Sequence, residues 1–274
     1  LASAHNRGLA EARGAILAFT DDDVVVDRRW LAEMVKNFVV DKTVGCVTGL
    51  ILPIEIETPA QGWIEQFGGF GKGYHQRRFN LTTDRVANPL YPYMAGVFGS
   101  GASMAFSASA LRVMGGFDQT LGAGTTARGG DDLAAFFDVV SAGYTLVYEP
   151  AAILYHQHRR DYAGLRRQAH GYGVGLTAYL TRCLVEKPSR IFDLAVRLPY
   201  GLAHILGAKS SKNRHKQADY PAELTRAERI GMVQGPVAYL RSRWQHRNLE
   251  KSVVRGDAVW HTPVMEPSNE VSEA

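Results

Sequence analysis

Residues Ile16 to Leu31 read "ILAFTDDDVVVDRRWL". A short apolar run is followed at once by three adjacent acids, Asp21, Asp22 and Asp23. Adjacent carboxylates repel one another, and strands disfavour Asp. The run from Ala15 to Thr20 is continuous rather than alternating, and Gly14 and Asp21 bound it. That is the form of a strand buried on both faces, as in a parallel sheet. Beyond the acids, Asp27 is placed to cap a helix whose apolar face is Leu31, Met34, Val35 and Phe38, at i, i+3, i+4 and i+7. With Asp27 available, the three acids are not needed for capping. Ligands of open α/β sheets bind at the carboxyl ends of the strands, and these acids stand at such an end. Carboxylates at i and i+2 can share one divalent cation, which relieves their repulsion. The plain alternative is a solvated acidic turn.

The pattern continues outward. "VGCVTGLILP" (44–53) reads as a second buried strand stopped by Pro53, and "ASMAFSASALRVMGGFD" (102–118) as a strand and then a short helix. "LGAGTTARGG" (121–130) is a flexible glycine-rich loop. "DDLAAFFDVVSAG" (131–143) is a helix with Leu133, Phe136, Phe137 and Val140 on one face and Gly143 at its end, and "YTLVYEP" (144–150) is a strand. A short helix over Ala2–Ala12 precedes them all. Strands alternating with helices predict an α/β fold with a mostly parallel sheet. Residues 57–98 interrupt this order. Glycine and aromatics alternate there without a clear period, which predicts a long irregular insertion of the kind that carries binding functions. Its Trp63, Phe67, Phe70 and Tyr74 suit stacking on sugar rings or packing in a core. From Arg159 the pattern turns helical, and beyond about His261 Pro, Ser and Glu predict a disordered tail.

The chain has 274 residues, 46% of them hydrophobic, enough for a sizeable core. Its two cysteines, Cys46 and Cys183, form no metal or disulfide pattern, so a reducing compartment is the default. No run of about 18 apolar residues predicts a transmembrane helix, and the first residues lack a signal-peptide pattern. The net charge of +4 is unevenly spread: Tyr155 to Arg255 holds 19 Lys/Arg against 7 Asp/Glu, so an anionic partner is expected for that third. No nucleic-acid recognition motif is present, and nucleic acid is not expected as a partner. "RIFDLAVRLPYGLAHILGAK" (190–209), then "KSSKNRHK" and "RIGMVQGPVAYLRSRW", suit an anionic membrane surface; a packed helical subdomain with a solvated basic face is the alternative.

Two further elements join the opening acids. "ARGGDDL" sets Asp131 and Asp132 at a helix start behind mobile glycines. One acid there serves the cap and helix dipole, and the other can act as a general base on a closing loop. "YHQHRR" (155–160) offers His156 and His158 after a strand, and a neutral imidazole suits a transition metal.

Taken together, "NRGLAEARGAILAFTDDD", "GSGASMAFSASALRVMGGFDQTLGAG", "GGDDL" and "YEPAAILYHQHRR" resemble glycosyltransferase family 2, inverting sugar-nucleotide enzymes of the GT-A fold. The resemblance runs from about Ala4 to Gly175. It implies a GT-A-like sheet flanked by helices, over residues 1–158, with a helical basic extension over 159–260 and a tail over 261–274. It implies that Asp21 and Asp23 are ligands of Mn²⁺ or Mg²⁺, that Asp22 and Arg7 lie at the donor, and that Asp132 is the catalytic base. Asp131 stands where the family usually has Glu. His156, the first histidine after the strand, or His158 completes the metal site. Trp63, Gly101 and Ser103 fall on the acceptor side, Ser103 replacing an Asn of the family pattern. The expected reaction is metal-dependent, inverting transfer from a nucleotide sugar to a hydroxyl of a glycan or lipid-linked acceptor. The expected place is the cytoplasm, peripheral on the inner face of the cell membrane. A metal-dependent nucleotidyltransferase and a non-catalytic carbohydrate- or partner-binding fragment are the alternatives. Family members usually carry earlier strands and most of the base pocket ahead of this matching point. The resemblance therefore implies an N-terminally incomplete catalytic domain, with weak nucleotide-sugar binding.

Overall fold

The computed structural model describes residues 1–254. Helix α1 (Ala2–Glu11) leads into β1 (Ile16–Thr20) and β2 (Val24–Val26), then α2 (Trp30–Val40) and β3 (Val44–Pro53). The segment after β3 holds α3 (Pro59–Phe67), β4 (Arg77–Phe79) and a single 3-10 turn at Ala95–Val97. Next come β5 (Ser103–Ser107), α4 (Ala108–Met114), α5 (Asp131–Ser141) and β6 (Thr145–His156). Three helices follow: α6 (Tyr162–Glu186), α7 (Arg190–Leu206) and α8 (Ala222–Val254). The expected tail over 261–274 lies outside the described residues.

The fold class is α/β, as the alternating pattern predicts. The strands form one six-stranded sheet in the order β1-β5-β3-β6-β2, with β4 paired to the first half of β6. The expectation of a mostly parallel sheet needs correction. Among the described residues only β3 and β6 pair in parallel, and the pairings β1–β5, β3–β5, β2–β6 and β4–β6 are antiparallel. The physical reason is that a continuous apolar run reports burial on both faces, not strand direction. Residues 44–51 of β3 are all buried, and its two neighbours run in opposite senses. The antiparallel pairing places β1, β3 and β6 in one direction, so their carboxyl ends share an edge with the amino end of β5.

Residues 57–98 are irregular over most of their length, as expected, but they hold helix α3, strand β4 and a 3-10 turn. Helix α3 has a capping box, with the Thr58 hydroxyl accepting from the Gln61 backbone N–H, Gln61 returning to the Thr58 N–H, and Pro59 at the helix start. The sequence signal was present in "TPAQGWIEQF", but the glycine and aromatic content around it masked the period. Ala60 and Ile64 bury against Leu165, Ala169 and Leu224, tying α3 to α6 and α8. Helix α2 also sits one position off its expected face. Leu31 is 52% exposed, while Trp30, Glu33, Met34, Asn37 and Phe38 face inward. Buried Glu33 and Asn37 are tolerated because Arg29, Lys36, Glu149 and Gln76 satisfy them. Asp27 does not cap that helix directly. Its side chain accepts from the Arg29 N–H at 2.8 Å in the turn before it.

Helix α6 packs into the core of the sheet. Ala178, Tyr179 and Cys183 of α6 belong to the same core cluster as Phe106, Phe136 and Leu146. Arg182, buried among them, is held by Asp118 at 3.0 Å, Asp138 at 2.8 Å and Glu186 at 2.8 Å. Helices α6 and α8 pack closely, and a Cβ on Gly173 would lie 2.0 Å from the Glu228 carbonyl. Only glycine permits that approach. Helix α7 differs: none of its residues is buried.

Candidate functional site

The edge shared by the ends of β1, β6 and β5 is where the acids meet. Strand β1 ends at Thr20, so Asp21 follows directly on its carboxyl end. The chain then doubles back as β2, pairing Val24 with His156 of β6. The Gln157 N–H donates to the Asp23 carbonyl at 3.0 Å, locking this turn against the end of β6. Ligand atoms of Asp21, Asp23 and His156 consequently lie within 4.8 Å of one another, the compact donor set a divalent cation needs. His156 Nε2 is 3.5 Å from Asp23 Oδ1. Asp22, in the turn between β1 and β2, is exposed and is not part of that donor set.

The electrostatics of this corner are set by crowded carboxylates. Burial first, then the charges of Asp23, Asp132 and Asp22, raise the Asp21 carboxyl above its ordinary range. Asp132 of the second acid pair is thus close enough for its charge to act on Asp21, whereas Asp131 is not among the groups that do. Burial lowers the His156 imidazole below its usual value, favouring the neutral ring that ligates metal. Asp21, Asp23 and neutral His156 therefore fit Mn²⁺ or Mg²⁺ by donor type and proximity.

Asp131 and Asp132 begin α5 behind Gly130, whose φ of 88° is left-handed. Asp132 is half-buried, and its carboxylate accepts from the Gly101 N–H at 3.1 Å and the Leu133 N–H at 2.8 Å. Burial raises its carboxyl, while those two N–H groups and the nearby Lys72 charge favour the ionised form. Asp131 is 4% exposed, turned to the inside against Gly122. Burial, then the charge of Asp132, pushes its carboxyl up to about 7.

Several expected residues hold other places. Ser103 is fully buried, and its hydroxyl accepts from Trp30 Nε1 at 3.0 Å, so it offers no surface to an acceptor. Trp63 donates to Asp219 at 3.2 Å and lies edge-on to Tyr162 in the α3–α6 contact. Arg7 is exposed on α1, paired with Glu11 at 2.6 Å. Gly101 does reach the site, through its N–H to Asp132. A Cβ on Gly101 would stand 3.1 Å from the Asp132 Cβ, so its bareness keeps that carboxylate in place. Of the four aromatics, Phe67 packs against Tyr172, Phe70 lies 4.7 Å from the His156 ring, and Tyr74 is 75% exposed.

Sequence reasoning passed over Lys72, Glu65 and the joint role of His158. Burial lowers the Lys72 amine to about 8, opposed by the charge of Asp132. His158 Nδ1 is 3.2 Å from His156 Nδ1, and its Nε2 is 2.8 Å from Glu65 Oε1. Lys72 sits in a glycine-rich run with no periodicity, and Glu65 looks like a solvent-facing helical residue. Tertiary packing gives each its place: Glu65 beside His158, and Lys72 near Asp132 at the start of α5.

The Glycosyl transferase family 2 profile matches residues 1–109. Pre-mycofactocin glycosyltransferases of two Mycobacterium tuberculosis strains are each 30% identical over 159 residues, 58% of this chain. The chain spans 30% of the length of these curated relatives. Among solved structures, a mannosyltransferase from Pyrobaculum calidifontis in complex with GDP-Man and Mn²⁺ is similar over 93% of this chain and 55% of its own, with TM-score 0.43 and 19% identity. GalNAc-T7 with UDP, GalNAc and Mn²⁺ is similar over 66% of this chain and 37% of its own, with TM-score 0.39 and 17% identity.

Proposed function

We propose, from the match of residues 1–109 to the glycosyltransferase family 2 profile, that the chain takes part in metal-dependent, inverting transfer of a sugar from a nucleotide donor to a hydroxyl acceptor. The observation that carries this reading is the convergence of Asp21, Asp23 and His156 beside Asp132. Asp21, Asp23 and His156 would hold Mn²⁺ or Mg²⁺. When bound, the cation neutralises charge that builds on the departing diphosphate. Asp132 takes the proton of the acceptor hydroxyl, and the oxygen attacks the anomeric carbon opposite the leaving group. A single displacement of this kind inverts the configuration. The raised carboxyl of Asp132 makes it the stronger base, and the Gly101 and Leu133 N–H groups fix its direction. Lys72 places a positive charge near Asp132, where it favours the ionised base and suits an anionic donor. Asp22, exposed at the turn, remains free for donor contact.

The test is transfer from a panel of nucleotide sugars, with Mn²⁺, by the chain and by Asp132→Asn and Asp23→Ala. Loss of transfer in both variants is expected. Near-normal transfer by Asp132→Asn refutes the base, and by Asp23→Ala the cation site.

The acceptor is read as lipid-linked, and the basic helices as resting on an anionic membrane surface. No described helix is long and apolar enough to cross a membrane. On α7, however, Ile191, Phe192, Val196 and Leu198 are 54–78% exposed, while Arg190 and Arg197 on the opposite side bond the Cys183 and Pro89 carbonyls. That amphipathic pattern supports interfacial binding. Flotation with phosphatidylserine vesicles is expected to carry the chain upward, and Phe192→Glu with Val196→Glu to abolish it. Equal flotation of the variant removes α7 from the reading.

A further inference from the structure

Away from the acids, one cleft carries charge that the proposed chemistry does not use. It measures about 890 Å³ and opens between the loop over residues 119–128 and helices α6 and α8. Arg128 of the loop and Arg241 of α8 line it, and no carboxylate does. Among the described residues, neither guanidinium pairs with an acid. Arg160 and Arg182 differ in this, since each bridges at least two carboxylates. Two guanidiniums without acid partners in one cleft favour an anion, and phosphate matches their forked geometry.

The loop that carries Arg128 is fixed to both helices. Thr126 Oγ1 donates to the Ala238 carbonyl of α8 at 2.9 Å. A Cβ on Gly130 would fall 2.5 Å from the Gly175 carbonyl oxygen of α6. Arg128 has φ of 61°, the left-handed region that L side chains rarely adopt. Its guanidinium stands 3.5 Å from His170 Nδ1, and His170 Nε2 is 2.9 Å from Gln234 Oε1. A residue kept in that conformation is held there by its surroundings, and this one brings positive charge to the cleft.

A second wall is apolar. Val233 and Val237 line the cleft from α8, at i and i+4, and are 79% and 69% exposed. Ile230, Leu240 and Trp244 continue the stripe along the helix, 45–66% exposed. The packing of α8 on α6 leaves this face open, because it uses Gly231 and Gly235.

We infer that this cleft binds a phosphate carried on an apolar chain: Arg128 and Arg241 take the phosphate, and the α8 stripe takes the chain. The inference deepens the lipid-linked acceptor reading, on which the ligand's role in transfer rests. Arg128 precedes Asp132 by four residues, so their Cα atoms are at most about 14 Å apart. A phosphate held at Arg128 therefore stays within an acceptor's length of the proposed base.

The experiment is calorimetric titration of the chain, free of divalent cation, with decyl phosphate below its micellar concentration and with inorganic phosphate. Decyl phosphate is expected to bind at one site, at least about tenfold more tightly, because only it covers the valines. Arg128→Gly and Arg241→Gln are each expected to raise its dissociation constant about tenfold, the loss of one charge-assisted contact. Glycine accepts the φ of position 128, so the unfolding midpoint of Arg128→Gly is expected not to fall. Val233→Gln with Val237→Gln is expected to bring decyl phosphate down to the affinity of inorganic phosphate. Parental decyl phosphate affinity in both arginine variants, or no binding by the parent, overturns the inference. Equal affinity of the parent for the two phosphates also refutes it, by making the occupant a free anion. Decyl phosphate binding by a chain that transfers no sugar upholds the site and refutes only the acceptor reading.

Discussion

Replacing Asp131 by Asn tests how much stability the second acid pair costs. Asp131 is 4% exposed, and burial together with the Asp132 charge pushes its carboxyl up to about 7 from 3.8. A folded-state value above the unfolded one means the folded chain holds a proton that the unfolded chain has released. The stability linked to that proton is fully present below the unfolded value. It is lost as pH rises toward about 7 and is level above that. At about 1.4 kcal/mol per unit, the gap amounts to about 4 kcal/mol at pH 8 and about 2 kcal/mol at pH 5. Asn keeps the shape and cannot ionise, but burying its amide costs about 1–2 kcal/mol. Asp131→Asn is therefore expected to be about 2 kcal/mol more stable than the parent at pH 8, and close to it at pH 5. Urea unfolding followed by circular dichroism at both pH values measures this. An equal difference at pH 5 and pH 8, or a variant less stable at pH 8, refutes the reasoning.

Arg182→Ala is expected to destabilise the chain by about 3–5 kcal/mol, because it strands Asp138 and Asp118 beneath α6; urea midpoints measure it, and a loss near zero contradicts the buried network. Sugar transfer is expected to fall on its acid side above the ordinary carboxylate range, since burial raises Asp132 and the protonated acid cannot act as base; a pH–rate profile checks this, and a fall only near pH 4 contradicts it. Lys72→Met is expected to move that fall to still higher pH by removing a charge that favours ionised Asp132; an unmoved profile separates Lys72 from the base. Chelation is expected to abolish transfer and Mn²⁺ to restore it, and transfer in excess chelator contradicts the cation reading.

What the sequence determined by itself was local. A continuous apolar run declares a buried strand, a 3.6-residue period declares α5, and acids at i and i+2 declare a donor pair, because each depends on neighbours in the chain. Asp21, Asp23, Asp132 and His156 were legible on that basis, with the family resemblance supplying their relation. Direction and depth were not. Strand burial looks the same in either sense, so three of the six strands oppose β1 without altering the pattern. Ser103 read as an acceptor contact until the fold set it against Trp30, and Trp63 until α6 covered it. Glu65 and Lys72 carried no signal, because their partners lie on other elements: His158 at the end of β6, and Asp132 at the start of α5. A side chain's chemistry is written in its own residue. Its acid strength and what it faces are set by burial and by charges brought close only when the sheet closes.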